Sequence, residues 1–134
     1  MAVFVDTSAL LAFLNDEDPN HALAHQILVR LREVDEWLFT HDYVVVETVA
    51  LLQARTGLGP VRRLRDEILP ALTVTWVDAD LHRTALDATL AGTRDVSLVD
   101  HTSFALMRLR NIRRAFAFDE HFAQAGFELE GTSP

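Results

Sequence analysis

Apolar runs of strand length alternate along this chain with stretches of helical length. VFV (3–5), WLFT (37–40), TVTWV (73–77) and AFAF (115–118) read as strands, and FELE (127–130) is a candidate fifth. Between them, Thr7–Leu14 forms a short helix. His21–Val34 is amphipathic, with Leu23, Ile27, Leu31 and Val34 at helical spacing. Asp42 caps a helix that runs to about Thr56 and stops at Gly57. A further helix opens around Pro60 and closes at Pro70; others cover Asp78–Ala91 and Ser97 to about Arg110. Such alternation implies an α/β fold with a mostly parallel central sheet of four to five strands and helices on both faces. In sheets of this kind ligands lie beyond the carboxyl ends of the strands, near a switch in strand order.

The length of 134 residues fits one domain, here residues 1–130, with GTSP (131–134) as a free tail. With no cysteine, disulfides, thiolate zinc sites and a cysteine nucleophile are excluded. The opening MAVFVDTSALLAFLND lacks a basic start and meets Asp6 too early for a signal peptide, and no run is long enough to span a membrane, so a cytoplasmic setting is expected. The formal charge of −8 argues against a passive nucleic-acid coat. Its distribution says more. All 12 basic residues are arginine, and eight lie in two acid-free runs, 55–65 and 108–114. Arginine forks grip phosphate oxygens, so Arg62, Arg63, Arg113 and Arg114 are candidate RNA-backbone contacts; solvated helix faces are the plainer reading.

Four acids stand where the topology would gather them. Asp6 ends the first strand, Asp119 the fourth, and Asp100 lies in the first turn of the helix leading to that strand. Glu47 sits in YVVVETVALLQA, apolar nearly all round, so its helix is expected to be buried and its charge to need a partner. Clustered carboxylates repel one another, a cost that a divalent cation removes; oxygen-only donors suit Mg²⁺ or Mn²⁺. Plainer roles exist for each: Asp6 and Asp119 as helix caps, Ser97–Asp100 as a capping box, Glu47 in a salt bridge with an arginine. Thr7 and Ser8 offer hydroxyls that could orient a water or a phosphate oxygen, or satisfy a helix start. His101 and His121 flank two of the acids; histidine can carry a proton near neutral pH, but each alone reads as a surface or packing residue.

The blocks VFVDTSALLAFL (3–14), VVVETVALL around Glu47, SLVDHTSFALM (97–107) and AFAFDEHFAQAGF (115–127) together resemble the PIN-domain ribonucleases, in particular VapC-type toxins of bacterial toxin–antitoxin pairs. The resemblance spreads over nearly the whole chain. It implies an acidic pocket holding Mg²⁺ or Mn²⁺, with Asp6 and Asp100 as main ligands, completed by Glu47 and Asp119 and assisted by Thr7 or Ser8. It also implies hydrolysis of single-stranded RNA to 5′-phosphate and 3′-hydroxyl ends, a homodimer, and a small antitoxin partner masking the pocket. A groove between Leu10–Leu14 and the helix Leu23–Val34 is the expected seat for that partner. Two rival readings remain: a binding module that does not cut, and phosphoryl transfer through an Asp6 nucleophile. The latter is weakened by Ser8 where a second aspartate is expected and by the absence of lysine.

Overall fold

The computed structural model describes residues 1–131. In chain order the elements are β1 Ala2–Val5, α1 Thr7–Leu14, α2 His21–Glu33, β2 Trp37–His41, α3 Asp42–Arg55 and α4 Leu58–Arg63. There follow β3 Thr73–Thr75, α5 Ala79–Ala91, α6 Leu98–Leu109, β4 Arg114–Phe116, α7 His121–Gln124 and β5 Glu128–Glu130. The strands make one sheet in the order β3-β2-β1-β4-β5, and every pairing is parallel. From β1 the chain adds β2 and β3 on one side, then returns to place β4 and β5 on the other. Right-handed crossovers therefore put α1–α4 on one face and α5–α7 on the opposite face. The packing agrees: α1 meets α2 and α3, while α5 meets α6.

A strand covered on both faces should be apolar throughout. Central β1 obeys, with Val3, Phe4 and Val5 all at 1% exposure or less. Phe4 stacks on Phe122 of α7, which meets Phe104 of α6 edge-on at 4.9 Å. Gly57 stops α3 at φ +100°, a backbone conformation that favours glycine. No helix among the described residues is long and apolar enough to cross a membrane.

Several expectations shift. His41, not Asp42, caps α3: its Nδ1 accepts from the Val44 N–H, while Asp42 accepts from the Val77 N–H. The buried face of α2 is Ala24, Ile27, Leu28 and Leu31; Leu23 and Val34 are exposed, because the apolar stripe drifts one position around the helix. α3 is only half covered, burying Val44, Thr48 and Leu52 while Val46 faces solvent. β3 stops at Thr75, leaving Trp76 exposed. β4 ends at Phe116, so Asp119 lies in the loop beyond the strand rather than at its last residue. Of the expected tail, residues 132–134 lie outside the described set; Gly131, at φ +107°, is so close to Ile27 that a Cβ would come within 2.7 Å of that side chain.

Candidate active site

The switch in strand order falls between β1 and β4, and there the chain brings its acids together. The Asp6 N–H donates to the Phe116 carbonyl at 3.0 Å, locking the exit of β1 to the exit of β4. Asp6 then caps α1: its Oδ2 accepts from the Ser8 N–H at 3.1 Å and from the Ser8 hydroxyl at 2.7 Å. Ser8 in turn accepts from the Phe118 N–H at 2.9 Å, so one hydroxyl ties Asp6 to the loop that presents Asp119. That bridge orients the Asp6 carboxylate. The Thr7 hydroxyl is buried and lacks a hydrogen-bond partner among the described residues.

Asp100 occupies the first turn of α6 and sits in the expected capping box, its N–H donating to Ser97 Oγ. Asp119 Oδ1 accepts from the His121 N–H at 2.9 Å, so it too shapes a helix start. For Asp6, Asp100 and Asp119, capping and clustering coexist. Burial pushes the Asp6 carboxyl up to about 7; the Ser8 hydrogen bonds oppose this, while Asp100 and Asp119 push it further. Asp100 is also raised, by burial first and Asp119 second, against the Ser97 amide and His121; Glu47 adds to the rise. Glu47 thus belongs to the same electrostatic neighbourhood. It makes no salt bridge to an arginine among the described residues, and it is half-buried rather than enclosed.

Ligand atoms of Asp100, Asp119 and His121 lie within 4.8 Å of one another. Asp6 and Glu47 stand outside that tight group. His121 had no assigned role at the sequence level. Its only signal was its place two residues after Asp119, where a short helix turns it back toward the acids. Burial alone would lower its imidazole, but Asp119, Asp95 and Asp100 outweigh burial and raise it. Three carboxylates, one held up to about 7 by burial and like charges, and a buried ring nitrogen that makes no hydrogen bond among the described residues form a donor set that fits a divalent cation.

The arginines divide. Arg62 and Arg63 are exposed on α4, with Arg63 paired to Glu67 at 3.3 Å. Arg113 and Arg114 were expected beside the same site, but Arg114 starts β4 and Arg113 precedes it, so both lie at the amino edge of the sheet, opposite the acids. Arg114 is engaged there with Glu36 at 2.7 Å and with Glu130. The expected groove is closed as well: Leu10 and Leu14 are core residues under α2 and α3.

The fold is that of a PIN domain, whose family matches residues 3–128, and the chain belongs to that family. Among individual proteins, it is 35% identical over 127 residues to the 23S rRNA-specific endonuclease VapC20 of Mycobacterium tuberculosis, in two strains, covering 93% of this chain and 95% of the relative. The crystal structure of Mycobacterium tuberculosis VapC20, described as a sarcin-ricin loop cleaving toxin, superposes with a TM-score of 0.83 at 33% identity, covering 98% of this chain and 99% of that one.

Proposed function

We propose that this chain is a divalent-metal-dependent endoribonuclease, using Mg²⁺ or Mn²⁺, and the toxin of a toxin–antitoxin pair. The observation that carries the reading is the convergence of Asp6, Asp100 and Asp119, from three distant parts of the chain, on one switch point where Asp6 is pushed up to about 7. Only a bound cation makes so much like charge useful there. Asp6, Asp100 and Asp119 would hold it, with Glu47 beside Asp100. When bound, it supplies Lewis-acid polarisation of a scissile phosphate and of the attacking water.

The remaining chemistry belongs to side chains. Ser8 fixes the rotamer of Asp6 and keeps it from swinging toward solvent. Glu47, without an ion pair among the described residues, is the carboxylate able to accept a proton from the attacking water. The unpartnered Thr7 hydroxyl is a donor for a phosphate oxygen. Hydrolysis by water leaves a 5′-phosphate and a 3′-hydroxyl. Arg62 and Arg63 on α4 are the arginines still available for the RNA backbone. The aspartyl-nucleophile alternative loses ground, because Ser8, standing where such a site needs a second aspartate, is spent on holding Asp6 and the Phe118 amide. The relative's target points to exposed loops of ribosomal RNA as the substrate class.

A short antitoxin segment and a homodimer complete the proposal, in a cytoplasmic setting. Since Leu10 and Leu14 are buried, the partner would dock on the apolar residues that α2 and α3 leave exposed, Val29 and Val46 among them. The test is cleavage of a ribosomal RNA fragment containing the sarcin-ricin loop, with Mg²⁺ or Mn²⁺ present, with a chelator, and with Asp100→Asn. Metal-dependent cutting abolished by chelation and by the substitution supports the reading; cutting that survives both sinks it.

A further inference from the structure

His121 presents two ring nitrogens to two different environments. Nε2 lies 3.2 Å from Oδ2 of Asp95, an exposed carboxylate that can only accept, so Nε2 carries the proton. Nδ1 faces inward, 3.0 Å from Asp119 Oδ1 and 3.6 Å from Asp100 Oδ2. It is buried, and neither approach has hydrogen-bond geometry. In the neutral ring this places a nitrogen lone pair against two carboxylate oxygens. Lone pair against lone pair is repulsive unless a second ring proton or a cation lies between them, and a cation can be held by all three groups at once. A histidine whose outer N–H is held by a carboxylate while its inner nitrogen is bare is the arrangement that orients imidazoles toward metals.

We infer that His121 is a nitrogen ligand of the same cation, oriented by Asp95, and that it biases the site from Mg²⁺ toward a first-row transition ion such as Mn²⁺. This rests on the acidic site proposed above and adds to it a ligand that is not a carboxylate. Mg²⁺ keeps its waters and prefers oxygen, whereas affinity of mixed nitrogen–oxygen donors rises along the first-row series. Asp95 is a positioning residue, since it reaches the cation only through the ring.

Mn²⁺ alone is the probe, and pulsed electron paramagnetic resonance of the Mn²⁺-loaded full chain is the readout. The wild type should show coupling to a directly bound imidazole ¹⁴N, and His121→Asn, which keeps an oxygen near the Nδ1 position, should lose it. By titration calorimetry, His121→Ala should weaken Mn²⁺ about tenfold or more and Mg²⁺ less than about threefold, the scale on which such groups act. Asp95→Ala should keep the nitrogen coupling but weaken Mn²⁺ severalfold. Wild-type Mn²⁺ that is sensitive to Asp100→Asn yet shows no nitrogen coupling overturns the ligand and leaves the acidic site standing. Mn²⁺ binding unchanged by Asp100→Asn overturns the acidic site and the ligand together.

Discussion

Removing the charge of Asp6 should stabilise the metal-free fold, and the gain should grow with pH. The carboxyl stands at about 7 in the folded chain against 3.8 for an ordinary aspartate, chiefly through burial. A group raised in this way contributes stability that is full below about pH 3.8 and is lost as pH climbs through about 7. The loss corresponds to about 4 kcal/mol at 1.36 kcal/mol per unit: over a third of it has gone by pH 5, and nearly all by pH 8. Buried His41 works in the opposite direction. Desolvation lowers it from 6.5 to about 4, so it contributes stability that is full above about pH 6.5 and falls away toward pH 4, about 3 kcal/mol in all. In the wild type the two slopes largely cancel between pH 4 and 6.5. The Asp6→Asn variant exposes the histidine slope and should gain stability with pH over that range. Its advantage over wild type should rise by about 2–3 kcal/mol between pH 5 and pH 8, whatever constant is lost with the weaker Ser8 hydrogen bonds. Urea unfolding of both proteins in chelator at pH 5, 6, 7 and 8 measures this. A difference that stays the same at pH 5 and pH 8 would refute the claim that Asp6 is ionised at a cost.

Three further outcomes are expected. Glu47→Gln should cut RNA at least about a hundredfold more slowly with an unchanged melting temperature, since glutamine keeps the helix propensity and Glu47 holds no ion pair among the described residues; a large drop in melting temperature would count against it. Charge reversal of Arg62 and Arg63 together should weaken RNA binding and flatten its salt dependence, measured by fluorescence anisotropy at two or more salt concentrations. Arg114→Ala should leave the salt dependence alone but cost about 2 kcal/mol in urea unfolding, because Glu36 and Glu130 would face each other without their shared cation.

The strand–helix alternation, the parallel sheet and the joint placement of Asp6, Asp100 and Asp119 were legible from local patterns, because a parallel sheet sends every strand exit to one edge. Glu47 was placed correctly on its helix but misjudged in burial. An apolar composition cannot show which face a neighbour leaves open, and Val46 is open. Arg113 and Arg114 were misplaced for a geometric reason. A few residues of extended chain carry a parallel strand across the sheet, so Arg114 and Asp119, close in sequence, belong to opposite edges. His41 and His121 were beyond sequence reasoning. The ring of His41 is hydrogen-bonded through Nε2 to Ser103 on α6, 62 positions away, and the ring of His121 faces Asp119 because of a turn.

Three of the acids also hold up the fold, and this decides which substitutions can separate chemistry from folding. Asp6 caps α1, Asp100 sits in the box that starts α6, and Asp119 shapes the turn into α7. Alanine at any of them removes a cap along with a charge, a loss of about 1 kcal/mol that obscures the relief of repulsion. Asparagine keeps an oxygen where the N–H groups of Ser8 and His121 donate, so it removes the charge and spares the cap. The linked position is Ser8. Its hydroxyl donates to Asp6 and accepts from Phe118, so Ser8→Ala breaks both bonds at once without changing any charge. Asp6 would lose the hydroxyl hydrogen bond that favours its ionised form and its carboxyl would rise further, while the β1 and β4 exits would lose a tie. Ser8→Ala should therefore weaken metal binding through Asp6 while every carboxylate remains. Calorimetric Mn²⁺ affinity equal to wild type would show that the Ser8 bridge does not set the geometry of the site.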